Sequence, residues 1–352
     1  MRDGEAGGTL MARETQARDR LLEQSPGAGK AARKARLQGM NLAQRLAILT
    51  AIMTVVLIGV GAFVRATGSG LGCPDWPLCH GQAVPPGHQE AWIEFSHRFV
   101  ASIVGLLVIA VAAAAWKYYR HVPLIVWVAT ATVPLVGFQG LLGAITVVRE
   151  LPPEIVATHL VTAMVVLACI TLVAVAMWME DERHRETVGR FREAARVPGA
   201  WALAGLGWLA VTFWVGGYMA ESGASTACSG WPLCNGGVLP GADDQEITHM
   251  LHRYLAGAFV FFVVPALVTA WRRRDQLPWA RPYVAALGGL YAMQVLVGAL
   301  NVWYTFPDPL TVAHTAIAGG IWGVLAAGAA LGFYQPYRAA AAPPLPRAEA
   351  PA

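Results

Sequence analysis

The stretch TGSGLGCPDWPLCHG (67–81) leads through a Pro-bearing spacer into WIEFSHR (92–98), and together they join two long apolar segments. The stretch holds Cys73 and Cys79, then Glu94 three residues before His97. A second, weaker copy runs from Ser222 to His252. Cys73 maps onto Cys228, Trp76–Cys79 onto Trp231–Cys234, Pro85 onto Pro240, and His97 and Arg98 onto His252 and Arg253. Further along, Gln139, Gly143, Pro152 and His159 map onto Gln294, Gly298, Pro307 and His314. The offset is 155 residues throughout (Cys73 to Cys228). So many uncommon residues at one spacing mark an internal duplication.

The chain around this repeat is 352 residues long, 56% hydrophobic and only 14% charged. Soluble domains carry about 25% charged residues, so the composition indicates an integral membrane protein. A net charge of +4 gives no reason to expect nucleic acid as a partner. Residues 1–40 are polar, rich in Arg, Lys, Glu, Gly and Ala, and lack an apolar core. They are expected to be a disordered basic tail rather than a cleavable signal peptide, with Met11 or Met40 as alternative starts.

Eight apolar segments follow, at roughly 43–65, 97–117, 123–146, 156–178, 200–219, 252–271, 281–303 and 311–333. Each is long enough to cross a ~30 Å hydrocarbon core as a helix of about 20 residues. Helices satisfy their own backbone, which lipid cannot do. The expected fold is all-α, with two tandem four-helix bundles at 41–180 and 200–335. A linker at 181–199 joins them, and a second tail covers 336–352. Four helices per half give both halves the same orientation, so they should be related by a pseudo-twofold axis along the membrane normal.

Orientation follows from Lys and Arg. One side carries Arg33, Lys34, Arg36, Arg45, Lys117, Arg120, Arg183, Arg185, Arg190, Arg192, Arg196, Arg272, Arg273, Arg274 and Arg281. The other has only Arg65, Arg98, Arg149 and Arg253 near helix ends. Both termini are therefore expected in the cytoplasm, with the Cys-bearing loops outside, where disulfides persist. The spacing favours Cys73–Cys79 and Cys228–Cys234 as pairs within each loop. Reduced thiols, pairing between loops and a redox role stay open. Cys169 reads as a packed small hydrophobe.

Of nine histidines, His80, His88, His121 and His184 read as ordinary surface residues. His97, His159, His252 and His314 form two pairs matched by the repeat, at one depth near the outer ends of even-numbered helices. One such histidine would ordinarily be a hydrogen-bond partner for a neighbouring helix. Four at one depth indicate function, since ionisable groups in membrane segments are costly. Two imidazoles facing each other inside a four-helix bundle suit axial ligation of a haem iron. Zinc would want more ligands.

The copies differ at one informative place: Glu94 in the first is His249 in the second. Three residues from a histidine is one helix face, so a carboxylate should lie beside only one haem. As a base, relay or charge stabiliser, it would make that haem the transformed one and leave the other to carry electrons. Its plainer role is a helix-start acid facing the dipole.

The segments RATGSGLGCPDWPLCHG and EFSHR, the THL and AHT histidines and the repeated WPLC closely resemble haem A synthase, of the subtype with cysteine pairs in the outer loops. The resemblance covers roughly 45–335. It implies oxidation of the C8 methyl of haem O to a formyl group through hydroxylated intermediates, with water as the oxygen source. It also implies that His97 and His159 flank the substrate haem O, that Glu94 is the catalytic carboxylate, and that His252 and His314 hold a haem b. Implied partners are membrane lipid, a haem O synthase as supplier and an unidentified electron acceptor. Oligomeric state, including a homo-oligomer, stays open. The implied location is the plasma membrane. A quinol-linked dihaem cytochrome b and a thiol–disulfide oxidoreductase are the competing readings.

Overall fold

The computed structural model describes residues 40–85 and 87–336. The tails expected at 1–40 and 336–352 lie outside the described residues, apart from Met40 and Pro336. The helices are α1 (Leu42–Ala66), α2 (Gln89–Tyr118), α3 (Pro123–Val148), α4 (Pro153–Met179), α5 (Glu182–Glu221), α6 (Asp244–Ala258), α7 (Val260–Arg272), α8 (Ala280–Trp303) and α9 (Asp308–Phe333). Single 3-10 turns, Ser69–Leu71 and Ala224–Thr226, follow α1 and α5. Among the described residues the only β structure is two isolated bridges, Cys79 with Gln82 and Cys234 with Gly237.

Helices α6 and α7 form one rod interrupted at Phe259, so the expected 8 segments are all present, each helical and apolar enough to cross a membrane. Two boundaries differ from the expected ones. Helices α2 and α6 begin at Gln89 and Asp244 rather than 97 and 252. Hydropathy registers only the lipid-facing part of a helix, whereas these two continue about two turns into polar sequence. That extension makes Glu94 and His249 helical. The region expected as a linker, 181–199, is also helical, the first part of the 40-residue α5. Its Glu, Arg and Ala residues are good helix formers, so charge marks the end of the apolar segment but not of the helix.

Helix α5 packs most extensively against α9 and α4, and α4 also meets α9. The backbones of α5 and α9 nearly touch where Gly199 faces Gly332: a Cβ on either would lie 2.8 Å from the other's Cα. Small residues permit this approach, which is a main source of helix association in lipid. Trp322 of α9 donates to the Met164 carbonyl of α4 at 2.6 Å, and Trp208 of α5 to Leu255 of α6 at 2.7 Å. The apolar core is continuous across both halves of the sequence. Large apolar side chains such as Leu106, Trp127 and Phe261 are exposed on the periphery, as a lipid-facing surface requires.

Local structure recurs at the 155-residue offset. Gly68 and Gly223, His80 and Asn235, Glu150 and Thr305, and Leu151 and Phe306 all have positive φ. The turns between α3 and α4 and between α8 and α9 therefore share a backbone path, as do the two Cys-bearing loops.

Candidate functional site

Each Cys-bearing loop is closed by its own disulfide, Cys73–Cys79 and Cys228–Cys234. The first packs on Ala91 and Phe95 of α2, the second on Met250 of α6. In the first loop the Asp75 carboxylate accepts from the His80 and Gly81 amides at 2.6 and 2.8 Å. Those bonds, led by the Gly81 amide, hold its pKa below the ordinary aspartate value. His80 is exposed, as expected, and also bonds the Gly72 carbonyl through Nε2 at 2.9 Å. Asn235 bonds the matching Ala227 carbonyl in the second loop at 3.0 Å.

An arginine in the third turn of each entering helix clamps the loop. Arg98 donates to the carbonyls of Cys73, Asp75 and Leu78 at 2.8–2.9 Å. Arg253 donates to Gly230 and Leu233 at 2.8 and 3.1 Å, through Nη1 alone. Its Nε and Nη2 are buried without a partner. The difference traces to position 94 against 249. Glu94 is buried, 3% exposed. Its Oε1 accepts from Arg98, and its Oε2 accepts from the Cys73 amide at 2.7 Å. His249 instead bonds the Ala224 carbonyl through Nδ1 at 3.0 Å and meets the Phe306 ring edge-on. The first half thus holds a fixed carboxylate with both oxygens occupied by donors, tied to both the disulfide loop and Arg98. The second half has no carboxylate at the matching position; its Glu246, five residues after Gly241, accepts from Asn235 and the Gly241 amide at 2.8 and 2.7 Å and does not bond Arg253.

His97, His159, His252 and His314 all lie within the first three turns of α2, α4, α6 and α9. His97 and His159 are within electrostatic reach of each other, as are His252 and His314. All four rings are partly buried, and the Nδ1 of each is buried with no hydrogen-bond partner. Each ring also faces a glycine on the preceding helix. A Cβ at Gly61, Gly143, Gly216 or Gly298 would lie 3.1, 3.2, 2.8 or 3.2 Å from Cε1 of His97, His159, His252 or His314 respectively. Gln139 donates to the His159 carbonyl at 2.9 Å, and Gln294 contacts His314 Nε2 at 3.2 Å.

Among the described residues, no three His, Cys, Asp or Glu side chains converge as a metal site would need. Two imidazoles per half fit a metal that brings its other donors with it. A porphyrin brings four ring nitrogens, and two partly buried imidazoles per half, each ring seated against a glycine, fit that group. Sequence reasoning noted Gly143 and Gly298 only as part of the repeat, and it missed Gly61 and Gly216. Their shared offset of 155 residues (Gly61 to Gly216) was the available signal. The loop-clamping role of Arg98 and Arg253 was also missed, because it depends on the folded path of the loop.

Residues 44–326 match the family described as Cytochrome oxidase assembly protein, COX15-CtaA. Similar proteins include three named Heme A synthase. That of Alkalihalophilus pseudofirmus is 30% identical over 73% of this chain and 86% of its own length. That of Shouchella clausii is 36% identical over 60% and 71%. That of Symbiobacterium thermophilum is 33% identical over 78% and 90%.

Proposed function

The chain belongs to the cytochrome oxidase assembly protein family, and from that membership we propose that it is a haem A synthase. It is an oxidoreductase that converts the C8 methyl of haem O to a formyl group. The observation that carries the reading is the asymmetry at one position. Glu94 is a buried, doubly held carboxylate one turn from His97, and the second half has His249 there.

His97 and His159 bind the substrate haem O in the first half, and His252 and His314 bind a haem b in the second. The haem b supplies reversible one-electron chemistry. Each hydroxylation of the methyl carbon takes its oxygen from water and releases two electrons and two protons. The second hydroxylation gives a gem-diol, and loss of water leaves the formyl group. Electrons leave by way of an unidentified acceptor. Positive charge that builds on the carbon conjugated with the porphyrin is stabilised by the fixed negative charge of Glu94. Arg98 and the Cys73 amide hold that carboxylate in place. The four glycines set the imidazole rings, and the turn bearing Leu151, which packs on Gly70, covers the first loop.

The bundles span 41–180 and 200–335, related by a pseudo-twofold axis. Both termini are cytoplasmic and the disulfide loops face outward, in the plasma membrane. The basic residues between α2 and α3 and around the start of α5 support this orientation. Haem O arrives from a haem O synthase. The test is mass analysis of haem extracted from cells expressing this chain with a haem O source. Hydroxylated and formyl products are expected. Recovery of haem b and haem O alone would overturn the reading in favour of a dihaem electron carrier.

A further inference from the structure

Arg65 and Glu221 stand at the loop ends of α1 and α5, the first helix of each half. Neither has a counterpart: the 155-residue offset (Cys73 to Cys228) takes Arg65 to Ala220, and Glu221 back to Ala66. The fold nevertheless brings them together across the halves. Arg65 Nε lies 3.8 Å from Glu221 Oε1, with side-chain exposures of 31% and 13%. That is an ion pair without a hydrogen bond, and Glu221 Oε1 is buried with no other partner.

A guanidinium presents five donors in a planar fork that matches a carboxylate. At 3.8 Å the ion pair with Glu221 leaves donors of that fork available to a further anion. Helix α1 packs on α9, the helix that bears His314 of the other half: a Cβ at Gly59 would lie 3.6 Å from that of Ala316, and one at Gly319 3.8 Å from Ile58. The group needed is a planar anion brought by whatever His314 binds. A haem carries two such groups, its propionates. A lipid phosphate at the helix end is the other source of anionic oxygens.

We propose that Arg65 is a carboxylate-binding residue of the second site, receiving a propionate of the haem held by His252 and His314, with Glu221 holding the guanidinium on its other side. This rests on the assignment of those two histidines as haem ligands. Its consequence is that the second haem site is completed by a side chain from the first half. The two halves then cannot load haem as independent units.

The test uses the full chain purified in detergent, with spectroelectrochemical titration of the haem lost in His252→Ala. On this proposal Arg65→Gln removes the positive charge paired with the haem's propionate, which favours the ferric state. Its midpoint should fall by about 59 mV, a tenfold change for a one-electron couple. Arg65→Lys should fall less, and Glu221→Gln should shift the other way. In a second arm, haem dimethyl ester replaces haem. Arg65→Gln should weaken binding of haem but not of the ester, whose side groups carry no charge. An unchanged midpoint in Arg65→Gln with haem bound would overturn the proposal. So would an equal loss of affinity for haem and ester, the result expected of a lipid phosphate or a merely structural role. If Arg65→Gln does not fold, the opposed shifts of Arg65→Lys and Glu221→Gln decide. If His252→Ala loses no haem, the ligand assignment itself fails, and the inference falls with it.

Discussion

A glycine opposite each histidine is the smallest device in this protein, and it makes a sharp prediction. An alanine Cβ at Gly216 would sit 2.8 Å from His252 Cε1, closer than real contacts allow, so the ring must turn. If His252 and His314 hold a haem as proposed, Gly216→Ala should disturb its low-spin bis-histidine spectrum. Gly298→Ala, with 3.2 Å to His314, should do so less. Absorption and electron paramagnetic resonance spectra of the purified variants check the order. The histidines themselves were legible in the sequence because ionisable residues in apolar segments stand out. The glycines were not, since a glycine in a membrane helix has many ordinary uses. Arg98 gives a second prediction at this scale. Removing it leaves Glu94 buried beside a loop without its clamp. Breaking a buried pair costs about 3–5 kcal/mol, so Arg98→Ala should lower the thermal stability of the protein markedly. Arg253→Ala should cost less, because no carboxylate is stranded. Melting curves in detergent followed by circular dichroism would show equal losses if the Glu94 pair were unimportant.

At the scale of elements, the loop and the helix that follows it act as one piece. The disulfide closes the loop, Arg98 clamps its carbonyls, and the Cys73 amide holds Glu94. Asp75 organises the loop's far side through the His80 and Gly81 amides. Its folded pKa is depressed, chiefly by the Gly81 amide. Its contribution is therefore present above the unfolded aspartate pKa, about 3.9, and is lost as pH falls through the folded value. The loop should hold its structure at neutral pH and loosen only in acid below the ordinary aspartate range. Asp75→Asn should loosen it already at neutral pH and remove the acid dependence. Amide exchange at His80 and Gly81 is the measurement, and protection unchanged in Asp75→Asn would contradict this account of the loop. The sequence made the eight apolar segments plain, but not the polar turns that open α2 and α6, nor the helical path of 181–199. Hydropathy reads the solvent around a helix, whereas the helix itself ends only where its backbone bonding is broken.

At the scale of the whole molecule, local structure recurs at one offset, and the proposed chemistry lies where the two halves differ. Loop path, disulfide, arginine clamp and glycine–histidine contacts recur in both halves. The recurrence was legible from cysteine, tryptophan and histidine spacing, and positive-φ positions recur at the same offset. The contact of Arg65 with Glu221 across the halves was not, because it joins two positions that the repeat does not equate. The central claim is that the halves divide labour, with Glu94 marking the oxidising one. Mass analysis of haem extracted from Glu94→Gln and His249→Gln, each expressed with a haem O source, tests it most directly. The account predicts that Glu94→Gln retains bound haem but yields little or no haem A, while His249→Gln still makes it. Haem A at the wild-type level from Glu94→Gln would contradict the account.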